Sequence, residues 1–438
     1  MMKLNIASTI VLAIALFAHE ASAKTLEDVL KEKGVITEED YKEVTKSKPI
    51  DYKLGKGFTF TSADEKFQLA LGSQLQLRYT LLDLDNVNNS STKGAQDSSK
   101  FELRRIKLYA NGYAYSKDLS YKLTINFANI NGGSTSNGGL LEETYINYRL
   151  IDELQFRLGQ DKVPFGRQFI TPSANNQFVD ASTVTNAFVP GYDTGINING
   201  KIAGGIFNYC IGGYGGVGQN TFRSTSDNAF AARITVNPLG EMSYSESDVE
   251  NSKKPLLSIG ANFFRDTLTS SESNQLYFMK TTVTSPGWFS LGRGLSPAAR
   301  QISTTEAIDF NIGGFDAAFK WLGFSAQAEY FIAQADGQSS KNIARGQGYY
   351  IQAGYFVIPE HLEIAARYSY TDPNRDVAND HLVEATGGVS WYINKHNLKI
   401  QADYTNVHRQ KLVASTNPGA SAKATDDQQA RVQAQILF

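Results

Sequence analysis

From Phe67 onward, apolar and polar residues alternate with a period of two, the pattern of strands with one apolar and one wet face. In FQLALGSQLQLRY, Phe67, Leu69, Leu71, Leu75, Leu77 and Tyr79 share one face, while Gln68, Gln74, Gln76 and Arg78 share the other. LEIAARYSY opposes Leu362, Ile364, Ala366, Tyr368 and Tyr370 to Glu363, Arg367 and Ser369. VEATGGVSWYI opposes Val383, Ala385, Val389, Trp391 and Ile393 to Glu384, Thr386, Ser390 and Tyr392. Strands of this kind are predicted over 67–80, 101–115, 119–129, 140–150, 154–162, 192–199, 205–213, 229–237, 256–266, 304–319, 323–334, 347–358, 361–371, 382–394, 397–409 and 427–438.

The links between these strands alternate in length. Short ones are Ser116-Lys117-Asp118, Ile151-Asp152-Glu153, Leu322-Gly323, Pro359-Glu360 and Lys395-His396. The intervening links are long and rich in Ser, Asn, Gly and Thr, as at 82–100, 163–190 and 267–303. Segment 238–254 breaks the pattern, being long where a short turn is expected. An even strand number, short turns at one end and polar loops at the other predict an all-β fold, a transmembrane antiparallel β-barrel of about 16 strands. Closure suits hydrocarbon because it leaves no backbone group unpaired. A soluble sandwich or propeller would need shorter strands and a repeated blade motif.

The first residues follow a different pattern. Lys3, an apolar run over 6–18 and Ala21-Ser22-Ala23 predict a signal peptide over 1–23, cleaved before Lys24. The run is too short to cross ~30 Å of hydrocarbon as a helix. Over 24–56, Leu26, Val29 and Leu30 have helical spacing, Gly34 is placed to end that helix, and Thr37 with Asp40 forms a capping box for a second. This segment reads as a periplasmic helical hairpin and linker, either a trimer contact or a mobile leader. The barrel is assigned to 57–438.

Composition changes the picture only by exclusion. With 42 Lys+Arg against 44 Asp+Glu, the net charge of −2 gives no pull toward nucleic acid. One cysteine, Cys210, excludes an internal disulfide, a cysteine metal cluster and a c-type haem site; no cofactor is predicted. GYGGVG (213–218) matches a dinucleotide fingerprint literally, but polar residues follow where a helix should start, so it reads as a flexible extracellular loop. The histidines of the barrel, His361, His381, His396 and His408, sit at strand ends or turns, and Ser390 has no nucleophile elbow around it. An enzyme is therefore disfavoured.

Lipid-facing arginine costs about 2–4 kcal/mol at the midplane, so mid-strand charges should face the lumen. Parity turns Arg78, Lys122, Arg149, Arg157, Arg233 and Arg367 inward. In the second strand, outward Ile106, Leu108 and Ala110 turn Arg105 and Lys107 inward and leave Arg104 near a rim. Arginine suits phosphate because its planar fork binds two oxygens. Glu102, Glu143, Glu329, Glu363, Glu384 and Asp403 share the polar faces and could cancel that field or form cross-strand pairs. A general or cation-tolerant pore, or an adhesin using the long loops, therefore stands beside an anion channel.

FELRRIKLYANGYAYSKDLSYKLTINFA (101–128) resembles the second and third strands of the phosphate-selective porin O/P family, with its Phe-Arg-Arg-type start and Gly near the strand end. LEETYINYRLIDELQFRLGQDKVPFGRQ (141–168) is similar to the next hairpin, and the closing hairpin is similar as well. The resemblance implies a sixteen-stranded barrel, usually a homotrimer, with the third loop folded inward. It implies passive diffusion of small solutes, anions such as phosphate among them, across the bacterial outer membrane. Residue by residue, Arg104 and Arg105 match the paired arginines, and Lys162 matches the lysine at the mouth of the third loop. The ending RVQAQILF places Val432, Ala434, Ile436 and Phe438 toward lipid, with Arg431, Gln433 and Gln435 toward water. Phe438 is expected at the periplasmic interface, as the signal that the barrel-assembly machinery reads.

Overall fold

The computed structural model describes residues 26–45, 50–84, 97–128, 140–269, 276–279, 287–289, 302, 306–410 and 424–438. The expected signal peptide lies outside these residues, as do parts of several long loops. The chain divides into two compact units, Met1–Pro49 and Ile50–Phe438. In the first, α1 (Leu26–Glu32) and α2 (Glu38–Thr45) form two short helices. The Thr37 amide donates to Asp40 Oδ2 at 2.9 Å and the Asp40 amide to Thr37 Oγ1 at 3.0 Å, closing the reciprocal cap that starts α2.

The second unit opens with a small hairpin, β1 (Ile50–Lys53) and β2 (Gly57–Thr61). The barrel strands follow: β3 (Phe67–Asp83), β4 (Ser98–Ala114), β5 (Ser116–Asn126), β6 (Leu141–Ile151), β7 (Leu154–Lys162), β8 (Tyr192–Ile202), β9 (Phe207–Tyr214) and β10 (Ala229–Val236). They continue with β11 (Leu256–Leu268), β12 (Ile308–Trp321), β13 (Phe324–Gly337), β14 (Ile343–Ile358), β15 (Leu362–Asp372), β16 (Leu382–Asn394), β17 (Leu398–Arg409) and β18 (Thr425–Leu437). Each of the sixteen pairs antiparallel with its sequence neighbour, and β18 pairs with β3 to close the ring. Side-chain exposure fixes which face is outside. On β18, Val432 is 50 % exposed while its neighbour Gln433 is 1 % exposed, so the apolar row faces out and the polar row faces a lumen. That inversion of a soluble protein is what hydrocarbon requires of a barrel.

Strand β1 falls in the segment read as a linker and β2 at the start of the span assigned to the barrel, and the compact unit that holds both runs from Ile50. Strands of four and five residues are too short for alternation to reveal. β2 pairs with the lower edge of β3, at Gln68–Leu71, and β18 pairs with the same edge from Gln74 upward. The two meet at Phe438, whose carbonyl accepts from the Ser73 amide at 2.5 Å and whose amide donates back at 3.1 Å. Gly57 has φ +76°, and a Cβ there would lie 1.8 Å from the Leu71 carbonyl oxygen, so only glycine starts β2 this close to β3.

The loop over 163–191 turns into the lumen and carries α3 (Arg167–Ile170) and α4 (Thr183–Phe188). Its Val163, Phe165, Val184 and Phe188 pack on inward Phe264, Phe310, Ile312 and Phe331, with Phe278, Trp288 and Phe289 of the loop after β11 completing a dry core inside the barrel. Glycines on β14 make room: a Cβ at Gly348 would come 2.7 Å from the Phe188 ring, and one at Gly346 2.6 Å from Trp288. The GYGGVG segment, expected to be flexible, is folded in. Val217 belongs to the same core, and the Gly216 amide donates to Asp193 at 2.6 Å.

Because Phe438 closes one edge of β3 and leaves its ring toward lipid, Phe438→Asp should sharply lower the yield of heat-modifiable folded barrel, with export across the inner membrane unchanged. Fractionation and cold versus boiled electrophoresis check this; a normal folded yield would contradict it.

Candidate functional site

Strict alternation cannot turn two successive side chains the same way, yet both Arg104 and Arg105 enter the lumen. The cause is a β-bulge: Gln76 of β3 opposes Arg105 and Leu77 opposes Leu103, so Arg104 is an extra residue in β4. A bulge lets neighbouring side chains share a face, and Arg104 therefore leaves the rim position that parity assigns it. A second bulge does the same for acids. Thr124 of β5 opposes Glu143 and Ile125 opposes Leu141, so Glu142 is extra and joins Glu143 inside.

The paired arginines meet one carboxylate from the inward loop. Asp180 lies 2.6 Å from Arg78, 3.5 Å from Arg104, 3.6 Å from Arg105 and 3.5 Å from Arg431. Burial would raise the Asp180 carboxyl, but the guanidinium groups of Arg78, Arg104, Arg105 and Arg431 hold it well below the ordinary aspartate range. It stays ionised well into acid, so these contacts do not titrate near neutral pH. Arg431 also forms a two-pronged pair with Asp403 at 2.7 and 2.8 Å. Arg104 keeps 41 % of its side-chain surface exposed, against 5 % for Arg78 and 15 % for Arg105, so its charge is the one most open to the lumen.

The other expected lumen cations divide by their surroundings. Lys122 pairs with Glu143 at 2.6 Å and Arg157 with Asp161 while lying over the Tyr145 ring; both stay partly exposed. Lys107 pairs with Glu142 and is buried. Arg233 is buried in a two-pronged pair with Asp316 at 2.7 and 2.9 Å, and Arg367 is buried against Glu384 at 2.9 Å. Arg149 lies at the turn end, paired with Asp118 at 2.7 Å and Asp152 at 3.3 Å. Lys162 Nζ donates to the carbonyls of Phe169 at 2.7 Å and Thr171 at 3.0 Å, so it ties down the end of α3. Among the described residues no group of three or more His, Cys, Asp or Glu converges as a metal site.

The wall carboxylates hold the loop in place. Glu329 accepts the Arg167 and Gln168 amides at 2.5 and 2.7 Å, capping α3. Glu384 accepts the Thr183 amide at 3.1 Å, beside the Ser182 cap that starts α4. Asp403 accepts the Val179 amide at 3.0 Å, and Glu363 accepts Gln177 Nε2 at 2.6 Å. Carboxylates at helix starts and orphan amides satisfy donors that water would otherwise have to reach.

The unusually long turn between β10 and β11 rises into the lumen to meet that loop from the other end. The Glu246 amide donates to the Asn175 carbonyl at 3.1 Å, and its carboxylate accepts Gln168 Nε2 at 2.8 Å and the Gln177 amide at 2.7 Å. Ser245 bonds His396 Nε2 at 2.9 Å, Ser247 donates to Glu363 at 2.8 Å, and Asp248 accepts the Gly323 amide at 2.9 Å. Loop and turn thus pack solidly against β11–β17. Leaving aside Arg149 at the turn end, the expected lumen cations that keep the most exposure, Arg104, Lys122 and Arg157, lie on the opposite wall, β4–β7.

A closed sixteen-stranded barrel with a charged lumen narrowed by an inward loop defines an outer-membrane porin. The family described as phosphate-selective porin O and P matches residues 71–263 and 301–438, and the chain belongs to it. An uncharacterized protein of Aquifex aeolicus is 26 % identical over 436 residues, covering 91 % of this chain and 93 % of that protein. Porin O of Pseudomonas aeruginosa is 25 % identical over 410 residues, covering 83 % and 88 %. In fold, the chain is similar to an anion-selective porin from Comamonas acidovorans, with TM-score 0.53 at 11 % identity over 84 % of this chain and 99 % of that one. It is also similar to the outer-membrane channel DcaP of Acinetobacter baumannii, with TM-score 0.51 at 15 % identity over 86 % and 99 %.

Glu246 satisfies buried donors at the junction of loop and turn, and each bond to a charged acceptor is worth about 1.5–3 kcal/mol. Glu246→Ala should therefore lower the stability of the folded barrel by about 3 kcal/mol and give larger, noisier single-channel currents. Thermal denaturation and planar-bilayer recording check the two effects.

Proposed function

We propose that the protein lets small anions, phosphate among them, diffuse passively across the outer membrane, and that it does so as a homotrimer like its family. The observation that carries the reading is the meeting of Arg78, Arg104, Arg105 and Arg431 at Asp180 on the inward loop. Four guanidinium groups share that carboxylate, and Arg431 is further balanced by Asp403, so an excess of positive charge faces the lumen at its narrowed level. Low-dielectric walls focus such a field and concentrate anions along the exposed side. The acids elsewhere do not reverse the sign at this point. Glu102 is paired with Lys100, Glu142 and Glu143 with Lys107 and Lys122, and Glu384 with Arg367, while Glu329 lies away from this group, at the start of α3.

Purified protein in a planar bilayer should show a reversal potential of anion-selective sign in a potassium chloride gradient. Arg104→Ala should lower the anion-to-cation permeability ratio by roughly fivefold, the effect of about 1 kcal/mol. Arg149→Ala, at the turn end and paired with two aspartates, should change it little. Cation selectivity of the unmodified protein would overturn the reading.

A further inference from the structure

Asp180 is the one acidic residue in 163–191, and the fold delivers it to the centre of the arginine group. We infer that Asp180 is a tethered counter-ion that fills the seat of a permeating anion, making the arginine group a relay for loosely held anions rather than a trap for phosphate. The inference rests on the anion-channel reading and specifies how that channel handles its solute.

The distances carry the argument. Only Arg78 is in short contact with the Asp180 carboxylate, at 2.6 Å; Arg104, Arg105 and Arg431 stand at 3.5 to 3.6 Å. One carboxylate has too few lone pairs at short range for four forks. The deepest donor is already taken, yet Arg104, the outermost, is only loosely engaged and remains open to the lumen. An arriving oxyanion is drawn in by the excess charge but meets a resident carboxylate that repels it and already occupies Arg78. Binding strong enough to admit an ion and weak enough to release it is the condition for throughput.

The position of Asp180 does not depend on its carboxylate alone. Its carbonyl accepts from Arg367 at 3.0 Å, the Val179 carbonyl accepts from Arg78 at 3.1 Å, and the Val179 amide donates to Asp403 at 3.0 Å. Asp180→Asn keeps the size and an acceptor oxygen while removing the charge, so the loop should stay seated and the guanidinium groups should become available to a solute.

The test is phosphate block of chloride conductance in planar bilayers, with heat-modifiable migration confirming folding. Unmodified protein should be anion-selective with weak block. Asp180→Asn should lower the half-blocking phosphate concentration about tenfold or more, the gain expected from one freed charge-assisted contact, and Asp180→Glu should stay close to the unmodified protein. Unchanged or weaker block in Asp180→Asn, in a channel whose unmodified form is anion-selective, would overturn the inference alone. Cation selectivity of the unmodified form would instead overturn the channel reading beneath it. If Asp180→Asn gives no folded barrel, the unmodified protein decides the matter. A filled seat predicts conductance that keeps rising with chloride, whereas saturation with a half-point below roughly 0.1 M would show an open seat and refute the proposal.

Discussion

Every level of this structure answers to one constraint: a backbone N–H or C=O removed from water has to find a partner within the protein. In the wall, that constraint closes β18 onto β3 and sets the alternation of the strands between them. Inside the lumen it acts again, on a loop that has left bulk water without joining a sheet. There the partners are carboxylates. Glu246, Glu329, Glu384 and Asp403 accept main-chain amides of residues 167–183, so acids on the wall and on the opposing turn fix the loop that narrows the channel.

This gives the lumen charges two different occupations. Some are spent on architecture: Arg233 with Asp316, Arg367 with Glu384, and Lys162 at the end of α3 are paired and largely withdrawn from water. Others keep surface in the lumen, chiefly Arg104, Lys122 and Arg157. A buried ion pair contributes little net stability relative to apolar packing, but breaking one is costly. The Arg367–Glu384 pair and Lys162, which bond the loop's own backbone, therefore act as position markers for it, and the nearly neutral net charge of the whole chain conceals a strongly uneven local distribution.

Much of the barrel is legible in the sequence because its governing pattern is local. Val383 to Ile393, Leu362 to Tyr370 and Val432 to Phe438 declare their outward faces by alternation alone, and the sixteen segments marked in this way coincide with β3–β18. What alternation misses is what departs from period two. The extra residues Arg104 and Glu142 look like ordinary strand positions, since a bulge is set by the register of the partner strand. The hairpin β1–β2 is too short to show a period. Asp180 lies in a polar loop with no periodicity at all, though its being the sole acid of a long loop in a barrel whose strands carry inward arginines is a usable signal. The excess length of 238–254 was another, and it marks the turn that enters the lumen.

The filling of the lumen is lopsided. Loop and turn press against β11–β17, while the exposed charges lie on β4–β7. The circumference is thereby split between a foundation and a working face. On the working face a substitution changes the exposed charge of the lumen directly; on the foundation it changes the lumen only by moving the loop. A lineage of such channels can therefore retune what it admits within a stretch of about sixty residues around β4–β7, while the rest of the cylinder evolves under the separate demand of keeping its filling in place.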